Sequence, residues 1–177
     1  MEMSFVEKED IFNILEPLFY ELFSVFGNGK IVSKAPFKKI LFQDSMLQYG
    51  TDKPDLRNPI IITDLTKMFE SSEIKLDIFK KQIKKGAIVR AIPAPGTKMK
   101  SRSFYDELNQ WAKNEGAHGL AYISLMKNKE EIIGSGPIAK FFSKNAIKQI
   151  IKKCNIKTET LCFFLVIKKK WLKKFQV

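Results

Sequence analysis

His118 is the only histidine in the sequence, and Cys154 and Cys162 are its only cysteines. Acid–base, nucleophilic and soft-metal chemistry must therefore start from these three side chains. His118 stands among Gly116, Ala117 and Gly119, where a helix is expected to hand over to a strand. A triad or a metal centre needs a matched partner, yet neither Cys-x-x-Cys nor His-x-x-x-His spacing occurs. With no obvious residue to orient it for proton transfer, His118 reads as structural or solvent-facing. Cys154 falls at an expected helix end and Cys162 in an apolar strand, so both are expected to be inert. Two cysteines also make neither a disulfide framework nor a four-ligand zinc site. Phosphate cradles are equally thin: there is no Gly-x-Gly-x-x-Gly or Walker pattern. Gly134-Ser135-Gly136-Pro137 reads as a turn in which Pro137 removes a donor that a phosphate nest would use.

Charge is the remaining chemical resource. The chain carries 31 Lys+Arg against 19 Asp+Glu, a formal net charge of +12. Residues 1–79 hold 9 basic and 13 acidic side chains, whereas residues 80–177 hold 22 and 6. The second region can meet a polyanion. Its cations are nearly all lysine, however, and the only arginines are Arg57, Arg90 and Arg102. Bidentate contacts to phosphates and base edges favour arginine, so a recognition surface and a solvated lysine coat both stay open. The basic stretch Lys168–Phe175, with Trp171, Leu172 and Phe175 among its lysines, is too short to hold a membrane surface alone. It reads as a helix start with a solvated lysine face.

These groups have to be positioned by a chain of 177 residues, 45% of them hydrophobic, which is enough for a real core and excludes disorder. There is no apolar run long enough to cross a bilayer and the N-terminus is acidic, so the expected class is globular and cytosolic. Glu9–Phe26 spaces Ile11, Ile14, Leu15, Leu18, Phe19, Leu22, Phe23 and Phe26 as an amphipathic helix. Pro17 should kink it and Gly27-Asn28-Gly29 should end it. Its aromatic stripe reads as packing rather than a cofactor box. Pro36–Phe42 is a short strand candidate, Asp44–Tyr49 one or two helical turns, and Tyr49–Pro59 a loop ordered by prolines and Asx turns. Thr63–Phe69 predicts a short helix capped by Thr63 or Asp64. Ile74–Phe79 and Ala87–Ile92 alternate like paired strands around Lys84-Lys85-Gly86, and Pro93–Gly96 reads as a turn. A helix capped by Ser101 or Ser103 should run to Asn114 with Phe104, Leu108 and Trp111 on one face. Strands follow at Leu120–Met126 and Glu131–Ile133. Next come a helix over Ile138–Lys153, broken near Ser143-Lys144-Asn145, and an apolar strand at Thr160–Ile167. The order predicts an α+β layer with one antiparallel sheet.

Four stretches resemble a known family. Met1-Glu2-Met3-Ser4-Phe5-Val6 resembles the end of class II motif 2 in aspartyl-tRNA synthetases. Tyr49-Gly50-Thr51-Asp52-Lys53-Pro54-Asp55-Leu56-Arg57 is similar to a loop of the bacterial enzymes. Ala91–Ile123, above all Ala112-Lys113-Asn114-Glu115-Gly116-Ala117-His118-Gly119-Leu120-Ala121-Tyr122-Ile123, resembles the core of their GAD insertion. Gly136-Pro137-Ile138-Ala139-Lys140-Phe141-Phe142 resembles that domain's small-Pro-x-Ala-Lys-Phe stretch. Order and spacing agree over essentially the whole chain.

The resemblance implies two regions: residues 1–72 as part of a class II catalytic core, and residues 73–177 as a GAD domain, a DCoH-like two-layer α+β fold with an antiparallel sheet. It implies a ligase that activates L-aspartate with ATP and Mg²⁺ and transfers it to tRNA(Asp) as a cytoplasmic homodimer. It further implies that motif 1, the arginine-bearing part of motif 2, the motif 3 arginine and the anticodon-binding OB domain have no counterpart in these residues. The chain is then a part of such an enzyme, inactive alone. Glu2 matches a motif 2 acid of the active-site strand, for which a structural ion pair is the alternative. Lys53 and Arg57 could approach the acceptor end of tRNA, or could instead be satisfied by Asp52 and Asp55 within the loop. A free-standing GAD-type module that docks tRNA or protein without catalysis is the other reading of the chain.

Overall fold

The computed structural model describes residues 2–128, 131–156 and 160–168. They form two compact units, Met1–Leu41 and Phe42–Val177. The expected basic helix start beyond Lys168 lies outside the described residues.

The first unit is built on helix α1 (Lys8–Phe26). Asp10 accepts a hydrogen bond from the Glu7 backbone N–H at 2.9 Å, which satisfies one of the free donors at its start. Pro17 lies inside the helix without ending it, and Gly27 closes it. The apolar stripe, expected to pack, is instead exposed: no residue of α1 is buried, and Phe23 and Phe26 are 54% and 73% accessible. Among the described residues of this unit α1 is the single helix, and no strand accompanies it. Pro36–Leu41 is likewise not a strand, because no neighbouring strand supplies a ladder to it.

The second unit centres on a five-stranded sheet in the order β1-β2-β5-β3-β4, with every neighbouring pair antiparallel. Its strands are β1 (Thr63–Asp64), β2 (Ala87–Pro95), β3 (Gly119–Asn128), β4 (Glu131–Ser135) and β5 (Thr160–Lys168). The central strand β5 alternates its side chains between two faces. Cys162, Phe164 and Val166 enter one core with α3 (Thr66–Glu70), α4 (Asp77–Lys84) and α6 (Lys144–Lys153), whose inward residues include Phe69, Ile83 and Ile150. Leu161 and Phe163 enter another with Tyr105 of α5 (Arg102–Asn114). Helices thus lie on both faces of the sheet, where a two-layer arrangement is expected. The α+β content and the single antiparallel sheet are as predicted.

The first core is aromatic. The Phe69 ring lies 5.2, 5.6 and 5.3 Å from those of Phe79, Phe142 and Phe164. Leu65, Met68 and Phe69 therefore pack with the sheet although they precede residue 73. On the other face Tyr105 stacks on Tyr122 at 4.6 Å and donates its hydroxyl to the Thr97 carbonyl at 2.7 Å. Trp111, expected on the inward face of α5, is 61% exposed; Tyr105 and Ala112 are the buried positions.

Three local expectations need correcting. Ile74–Phe79 is not a strand: Ile74 makes a single bridge to Phe142, and α4 begins at Asp77. Ile74 and Leu76 do alternate inward, but Phe79 and Ile83 then follow at helical spacing. Pro93–Gly96 is not a turn either, since β2 continues to Pro95, with Pro93 opposite Cys162 and Pro95 opposite Thr160. Val89 shows how this is possible. Its carbonyl accepts from Leu65 N–H and its N–H donates to Thr66 Oγ1, both at 3.0 Å, so odd positions of β2 turn their backbone groups toward β1. Pro93 and Pro95 share that parity but lie beyond the two residues of β1, and their missing N–H groups cost no bond to β5. The helix expected over Thr63–Phe69 is also shorter: Thr63 and Asp64 form β1 against β2, and α3 starts at Thr66 with Leu65, not Thr63 or Asp64, at its N-cap. The cap expected at Ser101 is present, and Ser143 supplies another. Ser101 accepts from Phe104 N–H, and Ser143 accepts from Ala146 N–H at 3.0 Å, after a 3₁₀ turn at Ala139–Phe141 that breaks the expected longer helix.

Candidate functional site

The loop after α2 (Phe42–Tyr49) carries the sequence-predicted cations. Gly50 takes a positive φ of 73° and returns its N–H to the Met46 carbonyl, which ends the helix. Ser45, buried, donates to the Thr51 carbonyl at 2.7 Å and anchors the start of the loop. Asx turns then shape it: Asp55 accepts from Arg57 N–H and Asn58 from Ile60 N–H, both at 3.0 Å. Arg57 lays its guanidinium fork on Asp55, Nε to Oδ1 at 2.9 Å and Nη2 to Oδ2 at 2.7 Å. Those hydrogen bonds, from the side chain first and the backbone second, hold the Asp55 carboxyl at about 2. Lys53 Nζ lies 3.7 Å from Asp52, with 89% of its side chain exposed. The loop is therefore self-paired at both cations, in the weak manner of solvent-exposed ion pairs.

Glu2 is exposed and belongs to the first unit, whereas the loop belongs to the second. His118 is exposed at the end of the sheet, where its backbone N–H donates to Val166 O at 2.9 Å. Gly134 and Ser135 close β4, and Gly136 makes the turn with φ 119°. Among the described residues there is no group of three His, Cys, Asp or Glu side chains placed to share a metal ion. No helix among them is long and apolar enough to cross a membrane.

Two features of the fold were not legible as sites in the sequence. On the α5 face, an apolar cavity of about 360 Å³ opens between α2, α5 and the sheet, walled by Leu47, Ile62, Trp111 and Leu165 and reached by Arg90. The Arg90 side chain is 12% exposed, and its Nη1 sits 2.6 Å from Asp64 Oδ2, off the hydrogen-bonding direction. Burial opposes charge on Asp64, but hydrogen bonds from the Thr66 hydroxyl and N–H, together with the Arg90 charge, bring its carboxyl below the ordinary range. The guanidinium is thus neutralised within the fold.

The second feature joins the cysteines. Cys154 is the residue that closes α6 and Cys162 lies mid-way along β5, both facing the first core. The Cys162 thiol faces the Phe163 carbonyl at 4.0 Å. Cys154 also lines a second cavity, of about 450 Å³, together with Thr63, Pro93, Pro95 and Thr160. The missing signal was spatial: nothing in an eight-residue separation says that a helix end returns over the middle of the next strand.

A family model described as the GAD domain matches residues 79–175. An aspartate–tRNA(Asp/Asn) ligase of Beijerinckia indica subsp. indica is 44% identical over 164 residues, which is 93% of this chain and 27% of that protein. The ligase of the same name from Rickettsia bellii is 48% identical over 169 residues, 96% of this chain and 27% of the relative. That from Pelagibacter ubique is 47% identical over 152 residues, 86% and 25%. The chain thus spans about a quarter of the length of these relatives. Since the family model takes in more than half of its residues, and takes in the central strands and both capped helices, the chain belongs to the GAD domain family.

Proposed function

We propose that the chain works as a segment of an aspartate–tRNA ligase, in which aspartate is activated by ATP and transferred to tRNA(Asp). The observation that carries this reading is the likeness to ligases over 93% of the chain, well beyond the span of the GAD match. In this reading residues 1–72 are part of a class II catalytic core, residues 73–177 are its GAD domain, and the working enzyme is a cytoplasmic homodimer. Glu2 is then the motif 2 acid, and Lys53 and Arg57 meet phosphates near the acceptor end of tRNA. Lys53 is the freer of the two, because the Arg57 fork is held by Asp55.

ATP and Mg²⁺ do not fit the residues present. A triphosphate needs convergent guanidinium and metal charge. The three arginines each face an aspartate of their own: Arg57 faces Asp55, Arg90 faces Asp64 and Arg102 faces Asp106. No step of activation is therefore assigned to these side chains, and the chain alone is inactive.

A chimera tests the reading. The matching segment of the full-length Rickettsia bellii relative is replaced by these 177 residues, and aspartylation of tRNA(Asp) is measured. Retained aspartylation is expected, with no ATP–pyrophosphate exchange by the 177 residues alone. A folded but inactive chimera, or robust exchange by the isolated chain, overturns it. The second reading is a GAD-type module that docks tRNA or protein without catalysis, favoured by the self-contained sheet and core of residues 42–168. Titration with tRNA at two salt concentrations separates the two. A steep salt slope without preference for tRNA(Asp) marks generic lysine attraction.

A further inference from the structure

We propose that the recess at one end of the sheet, walled by Gln82, Lys85, Ala87, His118 and Lys168, is an anion site that takes a phosphate group carried by RNA. The recess has a volume of about 300 Å³. Three neighbouring strands bring its walls together. β2 opens at Ala87 directly opposite Lys168, the last residue of β5. On the other side of β5, the His118 N–H donates to Val166 O at 2.9 Å, which holds the histidine at the same end of the sheet. The end of α4 supplies the rest. Lys85 N–H returns to the Gln82 carbonyl at 3.0 Å and Gly86 N–H to the Ile83 carbonyl at 2.8 Å, and Gly86 takes a φ of 84° where the chain turns into β2. No carboxylate lines the recess. Glu115, the acid nearest to His118 in the sequence, lines the apolar cavity on the α5 face instead.

The donors are uncommitted. Among the described residues, none of the four polar side chains on the walls has a hydrogen bond or an ion pair. The C-terminus of α4 brings about half a negative charge, which the two lysines exceed. The kind of donor selects the anion. A planar carboxylate matches an arginine fork, but the three arginines lie elsewhere, each beside an aspartate. Ammonium groups act as point charges on phosphate. The Gln82 amide and the imidazole add directed donors, one from a neutral ring and two from a charged one. A tetrahedral phosphate offers oxygens to donors that arrive from several directions, as these do from α4, β5 and the start of β3. The surroundings select the carrier. Residues 80–177 hold 22 basic against 6 acidic side chains, so a phosphate that belongs to a polyanion gains from the field around the recess as well as from its walls. The choice of RNA as that polyanion rests on the ligase reading, whereas the anion site itself does not.

The test follows the imidazole of His118, the only histidine, in a proton–carbon correlation spectrum of the labelled 177-residue chain. Inorganic phosphate, titrated at fixed pH and at an ionic strength balanced with chloride, should move this signal to saturation, and chloride alone should not. Lys85→Gln and Lys168→Gln should each weaken phosphate binding about fivefold, as loss of one nearby charge predicts. Lys148→Gln, on α6 and outside the recess, should leave it unchanged. Dichroism checks that each variant keeps the fold. An RNA hairpin is then added with its 5′ end either phosphorylated or left as the hydroxyl. A shift of the His118 signal with both supports a backbone phosphodiester as the ligand, and a shift with the phosphorylated hairpin alone supports a terminal phosphate. In either case Lys85→Gln should lower the salt slope of RNA binding by about 1. The proposal is overturned if phosphate gives no saturable shift, or if Lys148→Gln weakens it as much as Lys85→Gln. It is also overturned if phosphate binds but neither hairpin moves the signal. The ligase reading fails separately, through an inactive chimera, which leaves the phosphate titration unaffected.

Discussion

Phe69→Ala is the sharpest test of how the second unit is held together, because Phe69 precedes the matched family residues 79–175 and yet is fully buried. Its ring contacts three others, Phe79, Phe142 and Phe164, with centroids between 5.2 and 5.6 Å. Truncation loses the transfer free energy of the ring and leaves a cavity, for which Phe→Ala changes cost about 3–5 kcal/mol. The three ring contacts, one stacked, one edge-on and one tilted, place this site in the upper part of that range, since such pairs add ~0.5–1.5 kcal/mol each beyond area burial. A loss of about 4 kcal/mol is a large part of a domain's total of about 5–15 kcal/mol. With a urea dependence of about 2 kcal/mol per molar, the unfolding midpoint should fall by about 2 M. Phe69→Leu, which refills much of the volume, should lose less than half as much. The assay is urea unfolding of the 177-residue chain, followed by dichroism and by tryptophan fluorescence. A midpoint for Phe69→Ala within about 0.5 M of the parent would refute the reasoning, since α3 would then be an appendage rather than part of the core.

Two further substitutions test the polar framework. Asp64 has its carboxyl below the ordinary range in the fold, so its contribution is fully present above about pH 4 and is lost as pH falls through the lowered folded value. Asp64→Asn should therefore cost about 1 kcal/mol or less at neutral pH, given that 44% of the side chain is exposed, and should flatten the acid limb of a midpoint-against-pH curve; parallel limbs would contradict this. Ser143 both accepts from Ala146 N–H and donates to Glu73, joining the start of α6 to the segment before α4. Ser143→Ala should cost about 1–2 kcal/mol by urea unfolding, and an unchanged midpoint would remove the cap from the account.

The parts of the fold that could be read in advance are those whose chemistry is local. Ser101 caps α5 through a contact three residues away, and the Asp55 and Asn58 turns close over two. The central strand was legible because both of its faces are apolar, so Thr160–Ile167 reads as a continuous hydrophobic run. What failed depended on neighbours. Ile74 and Leu76 alternate as a strand would, but no partner strand lies beside them, and the Phe79 and Ile83 spacing wins. Pro93 and Pro95 look like turn residues until the two-residue length of β1 leaves their side of β2 unpaired. The α1 stripe shows the converse case: its spacing predicts the helix correctly but cannot supply the surface that would bury it.

The same division runs through the candidate sites. The loop at Lys53 and Arg57 was foreseeable down to its alternative, because Asp52 and Asp55 are close enough in sequence to compete for both cations, and in the fold they do. Asp64 was visible only as a possible cap. That it also faces Arg90 follows from the register that sets Asp64 opposite Arg90 across β1 and β2. For the cysteines, the sequence gives the right elements, a helix end and a buried strand, and burial alone argues for inertness. That inference holds for a thiol surrounded by hydrocarbon. What neither residue type carries is that both side chains enter one core, which follows from where α6 ends over β5 and so from topology.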